Sequence, residues 1–188
     1  MSAAISYLDV LDANIDTVID REWGNLTRAV GTVAQALADG RVAYEYLAGH
    51  LMPGEAGPGR RGRPDVFQTL DKAAIGRLKR GDVVVMTHQY GVHKSYIDVA
   101  LPVKDSGATI IAVAPRSDPA RILRTHPSGK TVIDLAEIVI DTHIPAHDAA
   151  VDLPAGGPGA CPTSGVVQAM IHWALVCGVA ERLAESDR

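Results

Sequence analysis

The chain has 188 residues, with 18 Lys and Arg against 22 Asp and Glu, for a net charge of −4. That length suits one domain, or one domain with an arm, and such a domain buries a core without disulfides or metals. The weakly negative charge and the apolar share of 47% exclude a general nucleic-acid or membrane-surface binder and exclude wholesale disorder.

Aromatic residues make up 4% of the chain, so the core must come from Ala, Val, Ile and Leu. Cys161 and Cys177 form no CxxC pair and no disulfide framework. No basic segment precedes an apolar stretch at the N-terminus, and no unbroken run of apolar residues reaches membrane-spanning length. A cytoplasmic protein with no membrane and no nucleic-acid partner is expected.

In chain order, Ile5, Leu8, Leu11, Ile15, Val18 and Ile19, then Leu26, Val30, Val33 and Leu37, recur at helical spacing. Gly24 interrupts them, which predicts one long bent helix or two in succession, stopped by Asp39-Gly40. Residues 1–40 therefore read as an N-terminal helical arm, packing on the domain or on a partner copy, and 41–188 as the domain. Val42–Leu47 predicts a short strand. The Gly-, Pro- and Arg-rich Met52–Arg63 predicts a mobile loop, and Thr69–Arg80 a short helix.

Asp82–Met86 is apolar and β-branched without alternation, the pattern of a strand covered on both faces. A loop at Thr87–Gly91, a helix over Lys94–Ser106 and a second buried strand at Ala108–Val113 complete a βαβ unit. A crossover through Thr131–Glu137 leads to a strand at Ile138–Asp141, and a nearly all-apolar helix over Ser164–Ala184 closes the chain. Alternating strands and helices predict an α/β fold with a parallel sheet.

Ligands of open parallel sheets sit at the carboxyl ends of the strands, beside helix N-termini. That rule selects Ala48–His50, Thr87–Lys94, Ala114–Asp118 and Asp141–Asp148. These segments hold five of the chain's seven histidines: His50, His88, His93, His143 and His147. Gly91 allows close backbone approach, and Lys94 supplies charge for an anion. The Thr87–Lys94 loop holds neither GxxxxGK[ST] nor GxGxxG. A metal reading combines His143 and His147 with Asp148, or with His50 and His88; the alternative is histidines acting as acid, base or hydrogen-bond donor. No cofactor is expected. Thr163 or Ser164 reads as the N-cap of the last helix, whose start also faces a ligand. His172, between Ile171 and Trp173, reads as a core or interface histidine. Cys161 has no basic neighbour in sequence to make it a nucleophile.

The segments GDVVVMTHQYG, GATIIAVAP, RTHPSGKTVIDLAEIVIDTHIPAHDAAVDL and CPTSGVVQAMIHWALVCGVAERL cover most of residues 81–184. In them the chain resembles the SIS (sugar isomerase) domain family, above all a bacterial branch related to phosphoheptose isomerase. The resemblance implies a flavodoxin-like three-layer α/β/α sandwich and a homodimer or tetramer whose helices complete the sites. It also implies a phosphosugar ligand held by Ser and Thr hydroxyls and loop amides, and proton transfer between adjacent carbons. The family's S-x-S-G phosphate loop aligns with His88-Gln89-Tyr90-Gly91, where two rings replace two hydroxyls. The segment between residues 50 and 81 is shorter than in the family, so a strand of the sheet is at risk.

Two functions are therefore expected to compete. One is a sugar phosphate isomerase in which His88, His93, His143 and Asp148 supply acid and base. Its small phosphorylated or anionic ligand is held by His50, Thr87, Gln89, Tyr90, Gly91, Lys94, Thr163 and Ser164. The other is a binding or regulatory module that has given up chemistry with the serine loop. A metal-dependent hydrolase or lyase is a third, lesser reading.

Overall fold

The computed structural model describes residues 2–48, 52–56, 62–116, 124–152 and 159–186. Five parallel strands form one sheet in the order β2-β1-β3-β4-β5: β1 (Ala43–Ala48), β2 (Gln68–Thr69), β3 (Val83–His88), β4 (Thr109–Val113) and β5 (Ile138–Ile140). Helix α1 (Ala3–Ala38) and helix α6 (Ser164–Ser186) cover one face. The other face carries α3 (Lys72–Ile75), α4 (Lys94–Asp105) and α5 (Val132–Leu135). This is the expected three-layer α/β/α arrangement, with the long N-terminal helix in place.

The apolar strand runs work as read. Along β3 and β4, Val83, Val85, Ile111 and Val113 point to α1 and α6, and Val84, Met86, Ile110 and Ala112 point to α4. Both faces are buried, so neither shows alternation with polar residues. Each buried Val or Ile contributes roughly 1.5–3 kcal/mol.

One open expectation is settled and two others change. Gly24 breaks nothing: α1 is a single helix of 36 residues. Glycine costs about 1 kcal/mol in a helix, and the burial of Val18, Ala29, Val30, Val33 and Ala34 on either side of it outweighs that. The predicted helix over Thr69–Arg80 shrinks to Lys72–Ile75, capped by the Asp71 side chain. Its first part is drawn into the sheet instead, with Gln68 and Thr69 opposite Tyr44 and Glu45. The shortened segment thus keeps a strand, though only two residues long. Within the predicted loop Met52–Arg63, Met52–Glu55 is a helical turn, α2; residues 57–61 lie outside the described residues.

Helix α6 is long and apolar enough by length and composition to cross a membrane. In this fold its apolarity serves packing: Val167, Ile171, Leu175, Val176 and Val179 are buried against the sheet and α1. Gly178 is required at that contact, since a Cβ there would lie 2.8 Å from Val30 Cγ2.

Candidate functional site

His88 ends β3 at the carboxyl edge of the sheet and is buried. Its Nδ1 accepts hydrogen bonds from the backbone N–H of Tyr90 and of Gly91, both 2.9 Å. A nitrogen that accepts twice carries no proton, so the neutral ring holds its hydrogen on Nε2. Burial first, and the nearby His93 second, lower the His88 pKa to about 4. The turn needs Gly91, whose φ is +68° and where a Cβ would meet Val132 Cγ1 at 2.8 Å.

This arrangement alters the expected anion seat. The two amides that would cradle a phosphate are already bonded to the protein's own imidazole. Lys94 forms an ion pair with Asp98 one turn along α4, at 2.9 Å. Thr87 is buried within β3, and Gln89 is half-buried in the turn. The Tyr90 hydroxyl donates to the carbonyl of His147 at 3.4 Å. His93 starts α4, is exposed, and makes no side-chain capping bond. Its ring centroid lies 5.0 Å from that of His88 and 6.4 Å from that of Tyr90. His88, Tyr90 and His93 therefore do gather at one strand end. His50 lies outside the described residues.

The β5–α6 connection gathers a second polar group. Asp141 Oδ1 accepts from the amides of Arg116 and His143, at 3.0 and 2.9 Å. His143 adopts a left-handed φ of +48°. Its Nε2 lies 3.2 Å from Glu22 Oε1 of α1, and its Nδ1 lies 3.7 Å from Asp141 Oδ2. Asp148, also left-handed at φ +54°, is buried at the start of α6. Its carboxylate accepts from the amides of Thr163 and Ser164, at 3.1 and 3.0 Å, and from Ser164 Oγ at 2.5 Å. The capping expected of Thr163 or Ser164 is thus performed by Asp148: a negative charge across the chain complements the helix N-terminus better than a neutral hydroxyl does. Thr163 Oγ1 instead donates to Asn14 Oδ1 at 3.3 Å, and Asn14 donates to the Thr142 carbonyl at 2.9 Å. Among the described residues, no three His, Cys, Asp or Glu side chains group so as to hold a metal ion.

Sequence reasoning missed two further sets. His126 packs its strap onto the start of α4. Its Nε2 meets Asp98 Oδ1 at 3.1 Å, its Nδ1 meets Ser128 Oγ at 2.7 Å, and the Thr125 hydroxyl donates to the Val92 carbonyl at 2.9 Å. The HPSGK block was its signal. The other set is Glu45 together with His172, which is buried in keeping with its reading as a core or interface histidine. Glu45, the single acid inside the strand AYEYLA, is buried beneath α6 with Oε2 3.5 Å from His172 Nδ1. Burial raises the Glu45 pKa to about 7. Burial, then the Arg63 charge, lower that of His172 to about 4.

No protein-family model matches the chain. A UPF0309 protein of Shouchella clausii is 31% identical over 111 residues, 59% of this chain and 45% of that protein. One of Geobacillus kaustophilus is 24% identical over 210 residues, 96% of this chain and 82% of that protein. The match thus spans less than half the length of the first relative. Among solved structures, phosphoheptose isomerase of Neisseria gonorrhoeae aligns at a TM-score of 0.59 with 11% identity, over 94% of this chain and 97% of that one. A Methanococcus jannaschii protein, inferred from its structure to be a 3-hexulose-6-phosphate isomerase, aligns at 0.58 with 13% identity, over 94% and 90%. The fold is the one these proteins share.

Proposed function

We propose that the chain binds a small phosphorylated sugar, or a related anionic metabolite, at the carboxyl edge of its sheet and moves a proton between adjacent carbons, as an aldose–ketose isomerase does. The supporting observation is the His88–Tyr90–His93 cluster at the end of β3, where parallel sheets take ligands, in a fold shared with solved sugar-phosphate isomerases. His93, exposed beside the cluster, is the acid/base residue, with His143 between Glu22 and Asp141 as the second. The His88 Nε2–H, the Tyr90 hydroxyl and Lys94 meet the anionic group in place of the occupied amides.

One observation favours a second reading, a metabolite-binding module without catalysis: the Tyr90 and Gly91 amides and the Asp148 carboxylate are all engaged inside the fold. The two separate by assay. Aldose and ketose phosphates are screened by thermal shift and by NMR for interconversion. Turnover that falls about 10²–10⁴-fold in His93→Ala is the expected result. A shift without turnover leaves the binding module, and neither one rejects both readings.

We also propose that a second copy docks on α1. Ile5, Leu8, Ile19 and Trp23 are exposed by 50–65% and fall within about 60° around the helix at roughly 100° per residue. Asp12 and Asp16 interrupt that stripe.

A further inference from the structure

Five carboxylates are buried among the described residues: Glu22, Glu45, Asp82, Asp141 and Asp148. Four are held by donors. Asn25 and His143 bond Glu22, the amides of Val42 and Lys79 bond Asp82, two amides bond Asp141, and three groups bond Asp148. Glu45 differs. It is 4% exposed, and its Oε2 makes no hydrogen bond within the described structure. A buried carboxyl oxygen left in this state costs about 1–3 kcal/mol, more when charged, so it needs a partner.

A small, partly open cavity of about 20 Å³ lies against Glu45, His172, Arg63, Asp65, Phe67 and Trp173. A water molecule needs at least roughly 10–15 Å³ and two to four polar neighbours. We propose that Glu45 Oε2, His172 Nδ1 and this cavity form a binding site for one small neutral ligand that both donates and accepts hydrogen bonds, water in the resting protein, through which the two side chains exchange a proton. In that step the Glu45 O–H bond breaks toward the ligand oxygen, and an O–H bond of the ligand breaks toward His172 Nδ1. The ligand is regenerated, leaving a carboxylate and an imidazolium; the reverse step restores the neutral pair.

The surroundings set the resting state. Burial opposes the charged form of both residues. From α2, Glu55 favours a charge on His172, and from the 62–67 segment Arg63 opposes it more strongly. Asp65 lines the same cavity. On the sheet, β3 places only Val85 beside Glu45. On α6, Gln168 lies one turn from His172 toward the strand ends, and its Nε2 also lacks a partner within the described structure. Beside the cavity, Arg63 pairs with Glu55 at 3.3 Å and lies over the Trp173 ring at 5.4 Å, and Trp173 Nε1 donates to Glu55 at 3.2 Å.

The site stands apart from the strand-end cluster, so its test does not depend on sugar phosphate binding. Wild-type protein labelled with carboxyl-¹³C glutamate is titrated by infrared difference spectroscopy, and water contacts to the His172 ring are read by nuclear Overhauser spectroscopy. The expected result is a protonated-carboxyl band with a midpoint of about 7, absent from Glu45→Gln, together with a long-lived water contact at His172. The wild-type titration stands without the variant, should that variant fold poorly. A Glu45 ionised throughout the acid range overturns the proposal, and so does a protonated Glu45 beside a dry cavity.

Discussion

The stability of the Glu45–His172 pair against pH makes a sharp prediction, because the two shifts oppose each other. Folding moves Glu45 from 4.5 up to about 7 and His172 from 6.5 down to about 4. Between pH 4.5 and 6.5 the unfolded chain carries one proton, on His172, and the folded chain also carries one, on Glu45. The difference in bound protons is zero, so the pair adds no slope to stability there. Single substitutions unmask the slopes. In His172→Gln, Glu45 binds a proton only when folded, so stability falls as pH rises from 4.5 to 7. In Glu45→Gln, His172 binds a proton only when unfolded, so stability rises with pH from 4 to 6.5. Each slope is about 1.4 kcal/mol per pH unit and totals at most about 3.5 kcal/mol. The shifts survive the substitutions because burial leads both, and neither depends on the partner. Urea unfolding of the three proteins across this range, with wild type subtracted, measures them. Slopes of the same sign, or two variants that run parallel to wild type, refute the reasoning.

Other sites give simpler tests. His88→Ala removes the Nε2–H that meets the anion and the acceptor that holds the Tyr90–Gly91 turn, so inorganic phosphate should bind about tenfold more weakly by calorimetry; unchanged affinity shows that His88 does not meet the anion. Asp148→Ala removes three hydrogen bonds from the start of α6 and should cost about 3 kcal/mol in urea unfolding. A wild-type midpoint there would deny the capping role. Trp23→Glu should reduce a wild-type oligomer to the 19.8 kDa chain in light scattering, and a wild type that already runs at that mass removes the proposed dimer.

Much of the architecture was legible because it rests on local pattern. The runs DVVVM, ATIIAV and EIVID fall in β3, β4 and β5 because β-branched residues fit a strand buried on both faces, whatever lies beyond it. The strand-end rule likewise led to His88, Tyr90 and His93, which do meet. Element limits were less legible where a distant partner competed with local preference. Thr69 joined an edge strand because β1 offered backbone hydrogen bonds, and Gly24 stayed helical because apolar burial on both sides exceeded its cost.

What each polar side chain does was settled only in three dimensions. His143 meets Glu22 across 121 positions of chain, and Asp148 reaches the start of α6. Glu45 lies under His172 because β1 and α6 stack in that register. Sequence alone determined the layers and the parallel strands, and with them the edge proposed for a ligand, since hydrophobic periodicity is a property of neighbours along the chain. Tertiary structure decided which amides and carboxylates remain available to a ligand, since a hydrogen bond depends on a few tenths of an ångström between groups that the chain order does not bring together.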